Sequence, residues 1–311
     1  MSEYYRMFLR TAEEGVIERR TDINTGEEAL YSNGKFIASS SGRTDFGEDL
    51  LVEKVRSEPH IIAFGAGHIG KALYDLAVLN DMKMTVLDDR KELLTEERFP
   101  LAERHIDNYE NLLIREYPAV SPYYVIFTHG HEYDIACLEY ALKHKASYIG
   151  MIGSKKKTER TFCLLREKGF SEDDIRRVHA PIGLAIGAET PEEIAISIMA
   201  EIISVFRSEK NVSVFDADLL RILAETEEGI VIRIIDKHGS APRERGSMML
   251  VTEKGSYGTI GGGAIEKDAA ETAIKMLREN KKHLLKHYSL KADDDLGMVC
   301  GGDETLLFSS L

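Results

Sequence analysis

The sequence contains no tryptophan, only three cysteines and no long hydrophobic run. Because three is an odd number, Cys137, Cys163 and Cys300 cannot all pair, which argues against a disulfide-stabilised secreted domain. No apolar stretch approaches the roughly 20 residues that a membrane-spanning helix needs. The first fifteen residues also carry charges where a signal peptide has its apolar segment. We therefore expect a cytoplasmic protein with no membrane partner.

Positive charge is also scarce. The chain has 40 lysine and arginine residues against 53 aspartates and glutamates, which gives a net charge of −13. No stripe of basic residues compensates for this, so we expect no nucleic-acid partner. A negatively charged ligand must be held by local donors, because the overall field repels it. With 311 residues, 43% of them hydrophobic, the chain is long enough for about two domains.

The order of the apolar segments predicts an α/β fold, in which a Rossmann-like parallel sheet domain precedes a smaller α+β domain. Residues 59–208 alternate short apolar runs with amphipathic stretches, which is typical of a nucleotide-binding parallel sheet covered by helices. Residues 212–311 form the smaller α+β domain. Residues 1–58 form an N-terminal α+β segment with candidate strands at Glu28–Tyr31 and Lys35–Ala38, and this segment is a candidate to pack with the C-terminal domain.

Two segments of the chain share a weak internal similarity. Residues 8–17, FLRTAEEGVI, resemble residues 222–231, ILAETEEGIV, and Asp22 and Asp236 keep the same register. The first copy lacks counterparts of the SAPRER and GTIGGG segments of the second. One interpretation is a degenerate half-copy of the C-terminal domain. The other is a chance similarity between two units that each run from a helix through a glycine into a strand.

A glycine-rich loop, GAGHIG, follows the apolar run that ends at residue 64 and opens a helical pattern. In this setting Gly65 allows a tight turn, Gly67 lets the backbone approach a pyrophosphate, and Gly70 permits close packing of helix and strand. The helix start, which includes His68, supplies backbone donors and a partial positive charge. The loop therefore predicts a dinucleotide site, and the alternative is a glycine turn that binds no nucleotide.

An acidic residue stands about twenty positions further on, where dinucleotide-binding folds place the acceptor for a ribose hydroxyl. This residue is Asp88, at the end of the next predicted strand. It favours NAD or another adenine nucleotide over NADP, although Arg90 close by weakens that preference.

The segment THGHEYD follows the predicted strand that ends at Phe127. His129, His131 and Asp134 have a spacing that suits zinc or iron, because imidazole and carboxylate are ligands of both metals. The alternative is a loop that contacts a polar ligand or caps the next helix. The sequence therefore names His129 and His131 as candidate metal ligands.

A second strand-to-helix junction carries the run GSKKK. Ser154 and Lys155 offer a hydroxyl and a positive charge that suit a phosphate. Cations are unfavourable at a helix N-terminus, so a nearby anion would explain the lysines.

The C-terminal domain contains three glycine-rich segments within about one hundred residues, and we expect them to form loops shaped around a ligand. One of them leads directly into a helix, and another flanks Cys300 with glycines. A thiolate at Cys300 can act as a nucleophile, a sulfur carrier or a soft metal ligand, whereas Cys137 and Cys163 are predicted to be buried core residues. The candidate cofactor-binding residues here are Ser240, Arg243, Gly261, Gly262, Gly263, Gly301 and Gly302.

These motifs resemble those of the xanthine dehydrogenase accessory factors of the XdhC/CoxI type. The resemblance covers about residues 60–311, and its motifs are specific in combination. They are Phe64–Gly70, Asp88–Arg90, Thr128–His131, Ile149–Lys155, His179–Leu184, Ile186–Ala195, Gly239–Gly246, Gly258–Glu266 and Met298–Gly302. The sequence departs from the common order, because here the Rossmann domain precedes the domain that carries the cysteine.

The resemblance implies a helper protein for a molybdenum hydroxylase, which favours a cofactor-binding accessory protein over an enzyme. Such a factor holds the molybdenum cofactor, or molybdopterin, protects its sulfido ligand while a cysteine desulfurase installs it, and passes it to the apo-enzyme. By this analogy Cys300, Gly301 and Gly302, together with Gly261–Gly263, lie near the molybdopterin. The implied partners are the apo-enzyme and the desulfurase. A second copy in a homodimer is a further candidate partner, because it would add a second wall around a shielded ligand.

Two other functions remain open from the residues alone. An NAD-dependent oxidoreductase would use the glycine loop and Asp88, with His129 or His131 as the general acid or base. A redox-sensing module would change a partner interface when a nucleotide binds. The glycine-rich segments of the C-terminal domain favour the accessory factor, since a plain dehydrogenase has no use for them.

Overall fold

The computed structural model of the chain describes residues 2–12, 15–46, 50–129, 131–208, 212–238, 245–289 and 303–311, without the side chains of Ser2, His131 and Glu132. The chain divides into two compact units. One is Pro59–Lys210, and the other combines Met1–Glu58 with Asn211–Leu311. Within the described ranges, no helix is both long enough and apolar enough to cross a membrane.

The elements alternate between helices and strands along much of the chain. In chain order they are α1 (Ser2–Ala12), β1 (Ile17–Asp22), β2 (Glu28–Ser32), β3 (Lys35–Ser39), β4 (Leu50–Ser57), β5 (His60–Phe64), α2 (His68–Leu79), β6 (Lys83–Asp88), β7 (Glu103–Ile106), α3 (Tyr109–Leu112), β8 (Pro122–Ile126), α4 (His131–Lys143), β9 (Tyr148–Met151), α5 (Lys155–Glu167), α6 (Glu172–Arg176), β10 (Val178–His179), α7 (Pro191–Phe206), β11 (Val212–Phe215), α8 (Ala217–Glu225), β12 (Ile230–His238), β13 (Met248–Thr252), β14 (Gly255–Gly258), α9 (Gly263–Arg278), β15 (His283–Ser289) and β16 (Asp303–Ser310).

The unit Pro59–Lys210 is built on a parallel sheet of order β10-β9-β8-β5-β6-β7, which confirms the predicted α/β fold class. The strands β5 and β8 are buried on both faces because helices cover the sheet, and both therefore appear in the sequence as continuous apolar runs. Helix α7 begins at a capping box, in which Thr190 and Glu193 each accept a hydrogen bond from the other's backbone.

Two cysteines lie in helices of this unit, and only one is in the core. Cys137 in α4 is buried among apolar side chains. Cys163 in α5 is exposed, so the prediction that it is a core residue is wrong. The buried face of α5 passes instead through Thr158, Thr161 and Leu165, and Cys163 lies outside it.

The other unit contains two five-stranded sheets. The first has the order β11-β4-β1-β2-β3 and the second has the order β14-β13-β12-β16-β15. In the second sheet, alternate residues of β12 face the helix α9 and share an apolar core with it. The residues between them, including Arg233, are buried on the opposite face. Both faces of this sheet are therefore covered.

Candidate functional site

The glycine-rich loop lies between β5 and α2, at the carboxyl end of the parallel sheet. Gly65 has a φ of +130°, and a Cβ atom there would lie 2.6 Å from the carbonyl oxygen of Phe127. A Cβ atom on Gly70 would lie 2.5 Å from the carbonyl oxygen of Gly65. On Gly67 a Cβ atom would meet no described atom within 4 Å. Two of the glycines are thus needed by the fold, whereas the third faces open space.

The first turn of α2 has no side-chain cap, and helix geometry gives its first backbone N–H groups no partner within the helix. Gly67 is the N-cap residue and has no side chain to accept from the first turn. His68, the first helical residue, is exposed. The loop therefore presents N–H groups and the positive end of the helix dipole to whatever occupies the space above Gly67.

Asp88 is fully buried, and its carboxylate is already saturated. It accepts from the backbone N–H of Ala66 at 2.5 Å, from the backbone N–H of Arg90 at 2.9 Å, and from the Arg90 guanidinium at 2.8 and 2.7 Å. Burial raises the pKa of Asp88, but these hydrogen bonds outweigh it, so the pKa lies below its usual value. A ribose hydroxyl would have to displace Arg90 to reach this carboxylate, and the predicted ribose contact stays a prediction.

His129 lies at the same edge of the sheet, beside Asp89. Its Nε2 is 2.9 Å from a carboxylate oxygen of Asp89, and its ring is close to those of Tyr109 and Tyr133. Among the residues whose side chains are described, no three histidine, cysteine, aspartate or glutamate side chains are grouped to hold a metal. The side chain of His131 is outside that set, so the metal site stays a prediction.

Asp134, the third residue of the HxHxxD pattern, serves the local structure. It accepts from the backbone N–H of Thr128 at 3.2 Å and from the Thr128 hydroxyl at 2.7 Å, and its buried carboxylate forms an ion pair with the partly exposed Lys157. Asp134 thereby supplies a nearby anion for one of the lysines at the start of α5. Ser154 is the N-cap of that helix and accepts from the backbone N–H of Lys157 at 3.2 Å, whereas Lys155 is exposed.

A further carboxylate, missed by the sequence analysis, organises the loop after β10. Glu201 in α7 accepts from the hydroxyl of Tyr148 at 2.5 Å and from the backbone N–H of Gly183 at 2.8 Å, and it lies 3.2 Å from Nδ1 of His179. Burial raises the pKa of Glu201, but the hydrogen bonds from His179, Tyr148 and Gly183 lower it more. The only available signal was the presence of a glutamate on an otherwise apolar stretch of helix.

In the other compact unit, the loop before α9 is closed by a carboxylate of the helix itself. Glu266 accepts from the Thr259 hydroxyl at 2.5 Å, and from the backbone N–H groups of Ile260 at 3.0 Å and Gly262 at 2.9 Å. Gly261, Gly262 and Gly263 all have positive φ angles. A negatively charged group already occupies donors that the sequence analysis assigned to a cofactor, so a ligand must compete with Glu266 for them.

The ionisation of Glu266 should control the order of this loop. Burial raises its pKa, but the hydrogen bonds from Thr259, Gly262 and Ile260 outweigh burial and hold the pKa below its usual value. A depressed pKa gives stability that is present above the unfolded value, near 4.3, and is lost as the pH falls through the folded value. After correction for the intrinsic pH dependence of hydrogen exchange, we expect the backbone amide of Gly262 to exchange faster as the pH is lowered below 5. Glu266→Gln should show this exchange already at pH 7, and a pH-independent wild-type rate would contradict the assignment.

The remaining sequence-predicted residues of the C-terminal domain lie outside the described residues. They are Ser240, Arg243, Cys300, Gly301 and Gly302. Next to them in sequence, Glu304 at the start of β16 is buried, and its Oε1 has no hydrogen-bond partner among the described residues. Burial raises the pKa of Glu304.

The predicted site residues are divided between the two compact units. The structure brings together Gly65, Gly67, Gly70, Asp88, Arg90 and His129 at one sheet edge, whereas Gly261–Gly263 belong to the other compact unit.

Two family models match the chain, one in each of the units that carry these loops. The model of the XdhC Rossmann domain matches residues 61–202, and the model of the XdhC and CoxI family matches residues 222–289. The chain belongs to the XdhC and CoxI family. The XdhC Rossmann domain contains the glycine loop and Asp88, and the XdhC and CoxI match contains the loop that Glu266 closes. The motif resemblance and the domain order inferred from the sequence are confirmed.

Individual proteins match smaller parts of this XdhC and CoxI chain. A probable xanthine dehydrogenase subunit from Bacillus subtilis (strain 168) is 32% identical over 157 residues, which are 50% of this chain and 45% of that protein. The molybdenum cofactor insertion chaperone PaoD of Escherichia coli (strain K12) is 27% identical over 81 residues, 26% of each chain. A solved structure described as a xanthine dehydrogenase of Bacillus halodurans has a TM-score of 0.48 and 25% identity, and covers 66% of this chain and 64% of that one. The chain spans less than half the length of the curated relatives it matches.

Proposed function

We propose that this protein is a maturation factor for a molybdenum hydroxylase of the xanthine dehydrogenase type. In this role it binds the molybdenum cofactor and assists its sulfuration or its insertion into the apo-enzyme. The observation that carries the proposal is the presence of both family domains in one chain, since a relative that shares part of them is a molybdenum cofactor insertion chaperone. Turnover of a substrate is not part of the proposed role.

The Rossmann domain contributes a nucleotide site in this proposal. The open space above Gly67 and the uncapped first turn of α2 fit a pyrophosphate, which is the group that such a loop binds best. NAD or another adenine nucleotide is the proposed ligand. Because Asp88 is occupied by Arg90, binding of the ribose requires Arg90 to move or to contact the ribose itself.

The C-terminal domain contributes the site for the molybdopterin. We assign the contact with the cofactor to Cys300, flanked by Gly301 and Gly302, because a thiolate is a soft ligand that suits sulfur and metal chemistry. Ser240 and Arg243 are assigned to its phosphate, since a guanidinium binds phosphate through two hydrogen bonds. The open side of Gly262 is compatible with the close approach of a ligand to the neighbouring loop. In the client enzyme, the delivered group supplies the redox chemistry.

The proposed partners follow from the same role. They are the apo-enzyme of the molybdenum hydroxylase, the cysteine desulfurase that supplies sulfur, and a second copy of this chain in a homodimer. The proposed location is the cytoplasm. A redox-sensing role would require nucleotide-dependent binding of a partner without affinity for the cofactor, and this combination separates the two hypotheses.

Cys300 and Cys163 provide a matched pair of substitutions for testing the cofactor site. Cys300→Ser should lower the molybdenum that co-purifies with the full chain at least tenfold, because the soft ligand is lost. It should also abolish activation of an apo-hydroxylase. Cys163→Ser removes an exposed thiol elsewhere and should behave as the wild type. The measurements are metal analysis and mass spectrometry of the bound molecule, followed by reconstitution of hydroxylase activity.

Two results would count against this role. Equal molybdenum content in the wild type and Cys300→Ser would remove Cys300 from the site. Reduction of a nicotinamide by the purified protein with a small hydroxylated substrate, in the absence of any bound molybdenum, would favour an oxidoreductase instead.

A further inference from the structure

The two sheets of the unit that contains both chain termini have equivalent strand orders. Read from one edge, the first runs β3-β2-β1-β4-β11 and the second runs β14-β13-β12-β16-β15. In each sheet the first four strands are antiparallel neighbours, and the central strand directly follows a helix, α1 or α8. The weak sequence similarity runs through this same helix and strand. In that alignment Arg19 of β1 is equivalent to Arg233 of β12.

The fifth strand of the first sheet comes from the other half of the unit. Strand β11 directly precedes α8 in the chain, yet it pairs in parallel with β4. Phe215 at the end of β11 contacts Phe8 of α1, with ring centroids 4.9 Å apart. The helices α1 and α8 also pack against each other. One copy therefore completes the sheet of the other, which is a feature of exchanged dimers.

The two sheets meet at a buried ionic cluster built around the equivalent arginines. Arg19 donates to Glu53 at 3.3 Å and to Sδ of Met248, in the second sheet, at 3.5 Å. Arg233 donates to Oγ1 of Thr21, in the first sheet, at 2.6 Å and lies 3.2 Å from Glu53. Each arginine thus reaches across to the opposite sheet, and both share one carboxylate. Equivalent positions of the two copies therefore lie at the interface between them, as in an isologous contact, although their partners differ.

We propose that α1 and β1–β4 form a shortened second copy of the C-terminal domain, which serves as the permanent, same-chain partner of that domain. Strand β11, which precedes α8 in the chain, completes the sheet of this shortened copy. The face of the second sheet that carries Arg233 fits a copy of its own fold, and the N-terminal segment supplies that copy. This inference does not depend on the cofactor or on the nucleotide, because it rests on strand order and on the contacts between the two sheets.

The first copy retains the partner face but lacks other parts of the second. No element of the described N-terminal residues takes the place of α9, and Val52 and Phe36 are exposed on the first sheet. The sequence also places a Cys-Gly-Gly segment only in the second copy. Since α9 and the first copy cover the two faces of the second sheet, client proteins must approach that domain at its loops and edges.

A disulfide between the copies tests whether the partner belongs to the same chain. A Cβ atom on Gly26 would lie 3.5 Å from Cβ of Ser309, which is within the range of about 3.5–4.5 Å found in disulfides. We expect the oxidised Gly26→Cys/Ser309→Cys protein to run as a single chain on a non-reducing denaturing gel, with the 26–309 bridge identified by mass spectrometry. The two single substitutions control for the native cysteines. A covalent dimer joined through this bridge would overturn the same-chain assignment.

Hydrogen exchange of the full chain tests whether the two copies behave as one body. Arg233→Met keeps the bulk of the side chain but removes the charge shared with Glu53. We expect protection to fall at least tenfold in β1 and β4 as well as in β12 and β16, with no change in β5. Arg221→Met on the exposed surface of α8 is the control. Loss of protection confined to β12 and its neighbours would show two independent modules and would refute the inference.

Discussion

Glu53→Gln is expected to lower the free energy of unfolding of the two-sheet unit by about 3–5 kcal/mol, because it removes the anion shared by two buried arginines. Arg19 loses the carboxylate to which it donates, whereas Arg233 keeps a second carboxylate, Glu28, at 2.9 Å. Glu53 lies within 3.3 Å of nitrogen atoms of Arg19, Arg233 and Arg245, and its side chain is only 2% exposed. Burial raises the pKa of Glu53, but the three arginines lower it by more than burial raises it. The carboxylate therefore stays ionised at neutral pH. Chemical denaturation followed by circular dichroism measures the change.

The control for this substitution is Glu18→Gln. Glu18 lies on the same strand as Arg19 but faces outward, where it pairs with Arg20 at 2.7 Å and is one-third exposed. A surface pair of this kind contributes about 0–1 kcal/mol. If both substitutions changed the unfolding free energy equally, the buried cluster would not be holding the two sheets together.

The second large effect is expected at the glycine loop. There, substitution of one glycine by alanine should lower stability, and substitution of another should lower nucleotide affinity. Gly70→Ala should destabilise the Rossmann unit by about 1–3 kcal/mol or more, because its methyl group would collide with the carbonyl oxygen of Gly65. Gly67→Ala should leave stability within about 1 kcal/mol of the wild type, because Gly67 has a φ of −67° and open space around it. Its methyl group should nevertheless weaken nucleotide binding at least tenfold, or about 1.4 kcal/mol.

Thermal denaturation and calorimetric titration with NAD and with ADP-ribose separate these two effects. A stable Gly67→Ala protein that binds either compound as tightly as the wild type would place the pyrophosphate elsewhere. Binding of neither compound by the wild type would remove the nucleotide site from the proposed function without affecting the role of Cys300.

The Rossmann unit could be predicted from the sequence because its strands are buried on both faces. Runs such as residues 61–64 are apolar throughout, so periodicity and the following glycine loop locate them. The strands β1 and β4 could not be found in this way. Their inward positions are occupied by Arg19, Thr21 and Glu53, and charged residues at core positions erase the alternation that marks a strand.

The same limit applies to the candidate site. The motif indicates which glycine faces open space, because its spacing reflects a fixed turn between strand and helix. It does not show that Arg90 folds back onto Asp88, or that Glu266 binds the backbone of the glycines before α9. Both contacts depend on side-chain conformations and on neighbouring elements, which no local pattern encodes.

The position of the Rossmann unit within the chain has a consequence for synthesis on the ribosome. Strand β4 ends at Ser57 and its neighbour β11 begins at Val212, so the first sheet is incomplete until the whole intervening unit has emerged. The central strand β12 must wait longer still for β16, which begins at Asp303. Contacts between distant residues form slowly, because a long loop has to close first. We therefore expect the nascent chain to fold its middle before its beginning, and Arg19 and Glu53 to stay in water until Arg233 and Met248 have emerged.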